Sequence, residues 1–169
     1  MRLASVLSAA ALASSVLGDG NSIRKAIKTI GHDTTALGDV VSAWPGDVLG
    51  ALPVVGKAVG LFVALKRGSR TARASAPLSF DEALGVATAT GDLTSAVNKT
   101  LAALVVARPK FDYLLVTPLI LVTLDVQRRA ANDFGGKVVA KVPKELRPIA
   151  RQLIKGIDDD FETAIDAYH

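Results

Sequence analysis

The 169-residue chain has no cysteine, which excludes disulfides and thiolate chemistry. Its two histidines, His32 and the terminal His169, leave almost no material for a two-histidine metal site or a histidine-based triad. Aromatics make up 5%, so a core has to be built from Ala, Val, Leu and Ile. Charge of one sign is also scarce. Twenty Lys and Arg against sixteen Asp and Glu leave a net +4, spread along the chain. Nucleic-acid binding needs a clustered basic face and is not expected. There is no GxGxxG, no Walker loop and no GxSxG, and no stretch alternates with period two for long enough to make a strand. Asp112 and Tyr113 are acid and hydroxyl neighbours without a further catalytic partner, so no enzyme activity and no cofactor are expected. Asp158, Asp159 and Asp160 are consecutive, point in different directions on a helix, and read as a solvated face rather than a metal site.

Hydrophobic residues are abundant, at 50%. The first 18 residues read as a secretory signal: Arg2 gives the positive end, Leu3 to Leu17 are small or apolar, and Val16-Leu17-Gly18 offers a cleavage site. The expected mature unit is a single domain over residues 19–169. Secretion gives meaning to the sequon Asn98-Lys99-Thr100, with Asn98 as the acceptor.

The most apolar internal stretch is Val48 to Leu65. Thirteen of its eighteen residues are hydrophobic and its only charge is Lys57. Leu52, Val55, Val59 and Phe62 form one stripe, and Val54, Ala58, Leu61 and Leu65 a second. Such a helix needs enclosure by protein or lipid. The run is short for a bilayer span and Lys57 is costly there, so no membrane span is expected in the mature chain, despite the GxxxG of Gly56 and Gly60. Lys57 meets either water or a carboxylate head.

The other periods are helical too. Ile23, Ile27, Ile30, Leu37, Val41 and Trp44 mark a first helix ending at Trp44-Pro45-Gly46. The second is expected to stop at Lys66-Arg67-Gly68, before a loop containing Arg70 and Arg73. Ser79-Phe80-Asp81-Glu82 is a capping box opening a third, which is expected to end before Pro109. The fourth is expected from Phe111 to Phe134, kinked at Thr117-Pro118 and terminated by Gly135-Gly136. After a short turn over Lys137 to Lys141, Pro143 opens the fifth, with Leu146, Ala150, Leu153, Ile157, Phe161 and Tyr168 in step. The predicted fold is all-α, a mostly antiparallel five-helix bundle. Two helices apolar on most sides, with few aromatics, suit a flexible acyl chain. A bundle with a fully buried central helix and no ligand accounts for them equally.

The pattern resembles a fungal family, the hydrophobic surface-binding protein A family, which is also the domain type of the antigenic cell wall galactomannoproteins. The shared features run in order: a signal peptide; a helix with Ile27, Ile30 and Leu37; Leu78-Ser79 before an acidic helix start; Ala107-Arg108-Pro109-Lys110-Phe111; Leu121 to Phe134; Lys141-Val142-Pro143; and Ile157-Asp158, Phe161, Ala164-Ile165 and Tyr168. The resemblance implies a non-enzymatic protein, secreted and extracellular or in the cell wall, that binds hydrophobic surfaces and, in the galactomannoprotein branch, a fatty acid or other amphiphile within the bundle. A further implied role is recruitment of a secreted hydrolase or a wall polymer, with no internal ligand required. Longer members carry a Ser/Thr-rich tail and a lipid-anchor signal; this sequence stops at Tyr168-His169 without either, so release or non-covalent retention is expected. Stripe arithmetic then places the acyl site at Leu52, Val55, Val59 and Phe62, facing Leu121 and Leu124, with Leu101, Leu104, Leu153 and Ile157 closing it.

Overall fold

The computed structural model describes residues 19–169; the expected signal segment, residues 1–18, lies outside the described residues. Five α-helices follow one another: α1 (Asp19–Ala43), α2 (Val48–Ala74), α3 (Phe80–Tyr113), α4 (Thr117–Lys141) and α5 (Arg147–Asp166), the last preceded by a single 3-10 turn at Lys144–Leu146. Among the described residues there is no strand.

Contacts between the helices fix their directions. Gly20 meets Glu82 and Gly38 meets Thr100, so α1 and α3 run parallel along their length. Asn98 bonds to Asp160 and Tyr168 to the Leu104 carbonyl, so α5 runs with them. α2 opposes α1, since Asp19 caps Ala76 N–H while Gly68 lies against Ile30. α4 opposes α5, with Gly135 against Ile154 and Arg128 bonded to Asp158. Chain neighbours are thus antiparallel. Laterally the helices close a ring in the order α1, α2, α4, α5, α3 and back to α1, and α3 and α4 touch only lightly across it.

The expected capping box forms. Ser79 Oγ accepts from Glu82 N–H at 3.2 Å, and Glu82 Oε2 accepts from Ser79 N–H at 2.9 Å. The other glutamate oxygen takes Gly20 N–H at 3.2 Å, so one residue caps α3 and ties down the start of α1.

Four expected boundaries are corrected, three of them because tertiary packing outweighs a local signal. α2 does not stop at Lys66-Arg67-Gly68 but runs on to Ala74. Gly68 is buried between Ile30 and Phe134, and Ser69 Oγ donates to Asp133 at 2.8 Å. Arg67, Arg70 and Arg73 lie exposed on this extension. α3 continues through Pro109 to Tyr113 because Phe111 is an anchor, with its ring 4.7 Å from Trp44 and 6.4 Å from Tyr168. The break expected as a kink within the fourth helix is a true turn over residues 114–116, where Leu115 adopts φ 57° and Val116 N–H donates to the Phe111 carbonyl at 3.1 Å. Gly135-Gly136 does not terminate α4. A Cβ on Gly135 would lie 2.7 Å from Ile154, so this glycine lets α4 and α5 approach, and residues 137–141 are the last turn of α4 rather than a separate one. Pro143 precedes the 3-10 turn, and Pro148 occupies the first turn of α5.

The three aspartates take different partners, although Asp158 and Asp159 share a face with Glu162, one carboxylate oxygen of each lying within 4.8 Å of the others. Asp158 binds Arg128 and Asn132, Asp159 binds Lys155, and Asp160 accepts from Asn98.

Candidate functional site: an apolar cavity inside the ring

A ring of five helices has an empty middle unless its side chains are large. With neighbouring axes about 9 Å apart, the centre of a regular pentagon lies about 8 Å from each axis. A helix radius of 5–6 Å then leaves a channel roughly 2–3 Å in radius. A core of Ala, Val, Leu and Ile, short of aromatics, does not fill it.

The structure has a cavity there, walled by all five helices. Its empty space is about 1000 Å³, including the part continuous with solvent, but it is narrow: a water-sized sphere can centre itself in only about 80 Å³. Ile27, Ile30 and Leu37 line it from α1; Val54, Ala58, Leu61 and Leu65 from α2; Leu93, Val97, Leu101 and Leu104 from α3; Ile120, Leu124 and Phe134 from α4; and Ile154, Ile157 and Phe161 from α5. Among the described residues no ionisable side chain lines it.

The polar lining groups are Thr34, Thr90, Thr100, Thr123 and Gln127. Thr34 and Thr90 donate to carbonyls one turn back, at 2.7 and 2.8 Å, and Thr100 donates across the interface to the Thr34 carbonyl at 2.9 Å. That last bond accompanies a close α1–α3 approach, where a Cβ on Gly38 would lie 2.7 Å from Thr100 Oγ1. Gln127 Nε2 donates to the Ala58 carbonyl at 2.7 Å, bridging α4 and α2.

Of the residues expected at the site, Leu101, Leu104, Leu124 and Ile157 come together on the cavity wall. Phe62 and Leu121 are half-buried against the core beside it, and Lys66 sits 5.8 Å over the Phe62 ring. Leu153 lines a different, smaller recess with Val139, Leu146 and Ile149. The expected facing of Leu52, Val55 and Val59 onto the fourth helix is corrected: they point outward, at 66%, 52% and 57% exposure. It is the other stripe of α2, Val54, Ala58, Leu61 and Leu65, that turns inward. Lys57 is exposed and stands away from the cavity. Asn98 is exposed in the middle of α3, while Thr100 of its sequon is buried.

The outward stripe of α2 does not stand alone. Val48, Leu49, Leu52, Val55, Val59 and Val63 are all exposed, and on the neighbouring α4 so are Leu119, Val122 and Val126. α2 is long and apolar enough to cross a membrane by length and composition, yet only 22% of its most apolar window is buried. The molecule therefore has two apolar features built on the same helices, one inside the ring and one outside it.

The chain matches the family profile described as Hydrophobic surface binding protein A over residues 20–140. It belongs to that family. Among curated relatives, Cell wall mannoprotein 1 of Aspergillus fumigatus is 30% identical over 142 residues, which is 84% of this chain and 49% of the relative. The protein of the same name from Aspergillus flavus is 24% identical over 149 residues, 88% of this chain and 54% of the relative. The chain thus spans about half the length of these relatives. Solved structures share the family fold. Ligand binding domain 1 of the Penicillium marneffei MP1 protein, complexed with arachidonic acids, superposes with a TM-score of 0.85 at 24% identity, covering 89% of this chain and 99% of that one. Afmp4p in complex with palmitic acid gives 0.86 at 22% identity, over 89% and 100%. Ligand binding domain 2 of the MP1 protein, complexed with multiple arachidonic acids, gives 0.80 at 25% identity, over 88% and 94%.

Proposed function

We propose that this protein is a non-enzymatic binder that holds the chain of a long-chain fatty acid or related amphiphile in the cavity inside the helix ring. The observation that carries this reading is a narrow cavity with aliphatic walls contributed by all five helices. Each CH₂ moved from water onto such walls is worth about 0.8 kcal/mol, so a long chain gains affinity in proportion to its length. The related domains crystallised with arachidonic or palmitic acid support the same reading. Leu101, Leu104, Leu124 and Ile157 are the expected contacts that remain in the site, joined by Leu61, Val97 and Phe134, none of which the stripe arithmetic assigned.

The outer face supports a second activity, adsorption to hydrophobic surfaces. Leu52, Val55, Val59, Leu119 and Val122 are exposed on two neighbouring helices, α2 and α4, and exposed apolar patches mark interaction sites. Residues placed in the acyl site by the sequence pattern thereby acquire an outward role. We place the mature protein outside the cell, released or in the wall, as the signal-like residues 1–18 and the names of the Aspergillus relatives suggest. Recruitment of a secreted hydrolase or wall polymer would use the same exterior.

Titration of the purified protein with a fluorescent long-chain fatty acid tests the carrier reading, with lipid extraction and mass spectrometry of protein from its native host as the companion measurement. Saturable binding with one set of sites is expected. No saturable binding of any acyl ligand would sink the carrier reading and leave adsorption as the activity.

A further inference from the structure

The polar groups on the cavity wall are unequal in what they offer a ligand. The four lining threonines have each given their single hydroxyl proton to a main-chain carbonyl. Gln127 has committed one N–H to Ala58, while its Oε1 is buried and has no hydrogen-bond partner among the described residues. The residue is 4% exposed and lines the cavity. Turning the amide over is no remedy, because Oε1 would then face the Ala58 carbonyl oxygen, acceptor against acceptor. Among the described residues no cation lines the cavity either. The charges on neighbouring turns are engaged elsewhere: Lys57 of α2 is exposed, Asp125 of α4 pairs with Arg129, and Arg128 pairs with Asp158 of α5.

A buried oxygen acceptor in an apolar, uncharged chamber calls for a hydrogen-bond donor. We infer that the cavity takes the polar end of its amphiphile as a donor, an alcohol hydroxyl or an un-ionised carboxyl, received by Gln127 Oε1. An ionised carboxylate brings only acceptors and has no cation to meet on this wall. This inference rests on the carrier reading and specifies its ligand: a neutral, hydroxyl-bearing head is preferred to a charged one.

The test uses two ligands of one chain length, 1-tetradecanol and its methyl ether, competing at neutral pH with the neutral fluorophore diphenylhexatriene. The pair differs in the one hydroxyl proton. Tetradecanol is expected to bind about tenfold tighter to the wild-type protein, as the loss of one buried hydrogen bond implies. In Gln127→Leu, and in Gln127→Met as a second variant of similar length, the two ligands should bind within twofold of each other. Equal binding in the wild type would overturn the inference while leaving the carrier reading intact, and this comparison needs no variant to fold. A preference that persists in either folded variant would overturn Gln127 as the acceptor. Displacement of the fluorophore by neither ligand would remove the carrier reading itself.

Discussion

Two residues apart on α2, Leu61 and Val59 face opposite ways, and that contrast gives the sharpest test of the internal site. Leu61 lines the cavity; Val59 is 57% exposed. A palmitoyl tail has about fourteen methylenes, worth roughly 11 kcal/mol of apolar transfer at about 0.8 each. Association costs at least about 4 kcal/mol, which leaves some 7 kcal/mol at most. That corresponds to a Kd on the order of 10 μM. Because the space is narrow, with about 80 Å³ open to the centre of a water-sized sphere, the walls must part to admit the tail, and any added bulk competes directly with it. An indole at position 61 takes the room of roughly three methylenes, so Leu61→Trp should lose about 2–3 kcal/mol of binding, or about 30- to 150-fold. Overpacking also costs the fold about 1–3 kcal/mol, which is why the variant has to be shown helical and folded by circular dichroism first. Val59→Trp adds its bulk to solvent and should bind the same fatty acid within twofold. Titration of a fluorescent fatty acid against the three proteins reads the result. Equal weakening in both variants, or no weakening in Leu61→Trp, would refute the assignment of the inner stripe to the cavity.

Placing charge on the outer stripe should separate adsorption from carriage: the double variant Val55→Asp, Val59→Asp is expected to lose most of its retention on alkyl-coated beads, with acyl binding unchanged, because both side chains are exposed. Gly38→Ala should cost about 1–3 kcal/mol in urea unfolding, since its Cβ would lie 2.7 Å from Thr100 Oγ1 and 3.3 Å from the Thr100 backbone. Ser79→Ala removes one half of the capping box and should cost about 1 kcal/mol, measured in the same way. The Arg128 guanidinium holds the Asp158 carboxyl down to about 2, with Asn132 assisting. A carboxyl depressed in the folded state stabilises above its unfolded value near 4 and loses that contribution as pH falls through about 2, so this pair should contribute on the order of 2 kcal/mol at pH 6 that fades between about pH 5 and pH 2. The urea midpoint of Asp158→Asn should accordingly drop less on acidification than that of the wild type.

The architecture was legible because most of its signals act over a few residues. The capping box at Ser79 and Glu82, the three- and four-residue steps of Ile23 to Trp44, and the amphipathic period of Leu146 to Tyr168 each specify a helix without help from elsewhere in the chain. The boundaries that misled have a common cause. Gly68 and Gly135 read as stops, but their lack of a side chain serves contacts with Phe134 and Ile154 on other helices. Pro109 reads as an end, but Phe111 beyond it is held by Trp44 and Tyr168. In each case the deciding partner lies on another helix, beyond the reach of a local sequence window.

Only four of the ten residues expected at the site line the cavity, for a related reason. Stripe arithmetic finds that α2 has two apolar faces but cannot say which of them turns inward, since hydrophobicity is nearly the same on both. The sequence does contain one cue. Val54, Ala58, Leu61 and Leu65 face the interior with a mixture of sizes, and the alanine sits where Gln127 reaches across to the backbone carbonyl. The outer stripe, Leu52, Val55 and Val59, has only medium and large aliphatics beside Gly56 and Gly60, and a Cβ added at either glycine would meet open space. In a soluble bundle an outer stripe of this composition is a cost, because it leaves apolar surface in water without gaining packing. Persistence of that cost in a chain that already buries an equivalent stripe is the physical argument that the exterior has work of its own, separate from the cavity. The assumption that every strongly apolar position must be buried, sound for most globular chains, is what sent those three residues to the wrong side of the wall.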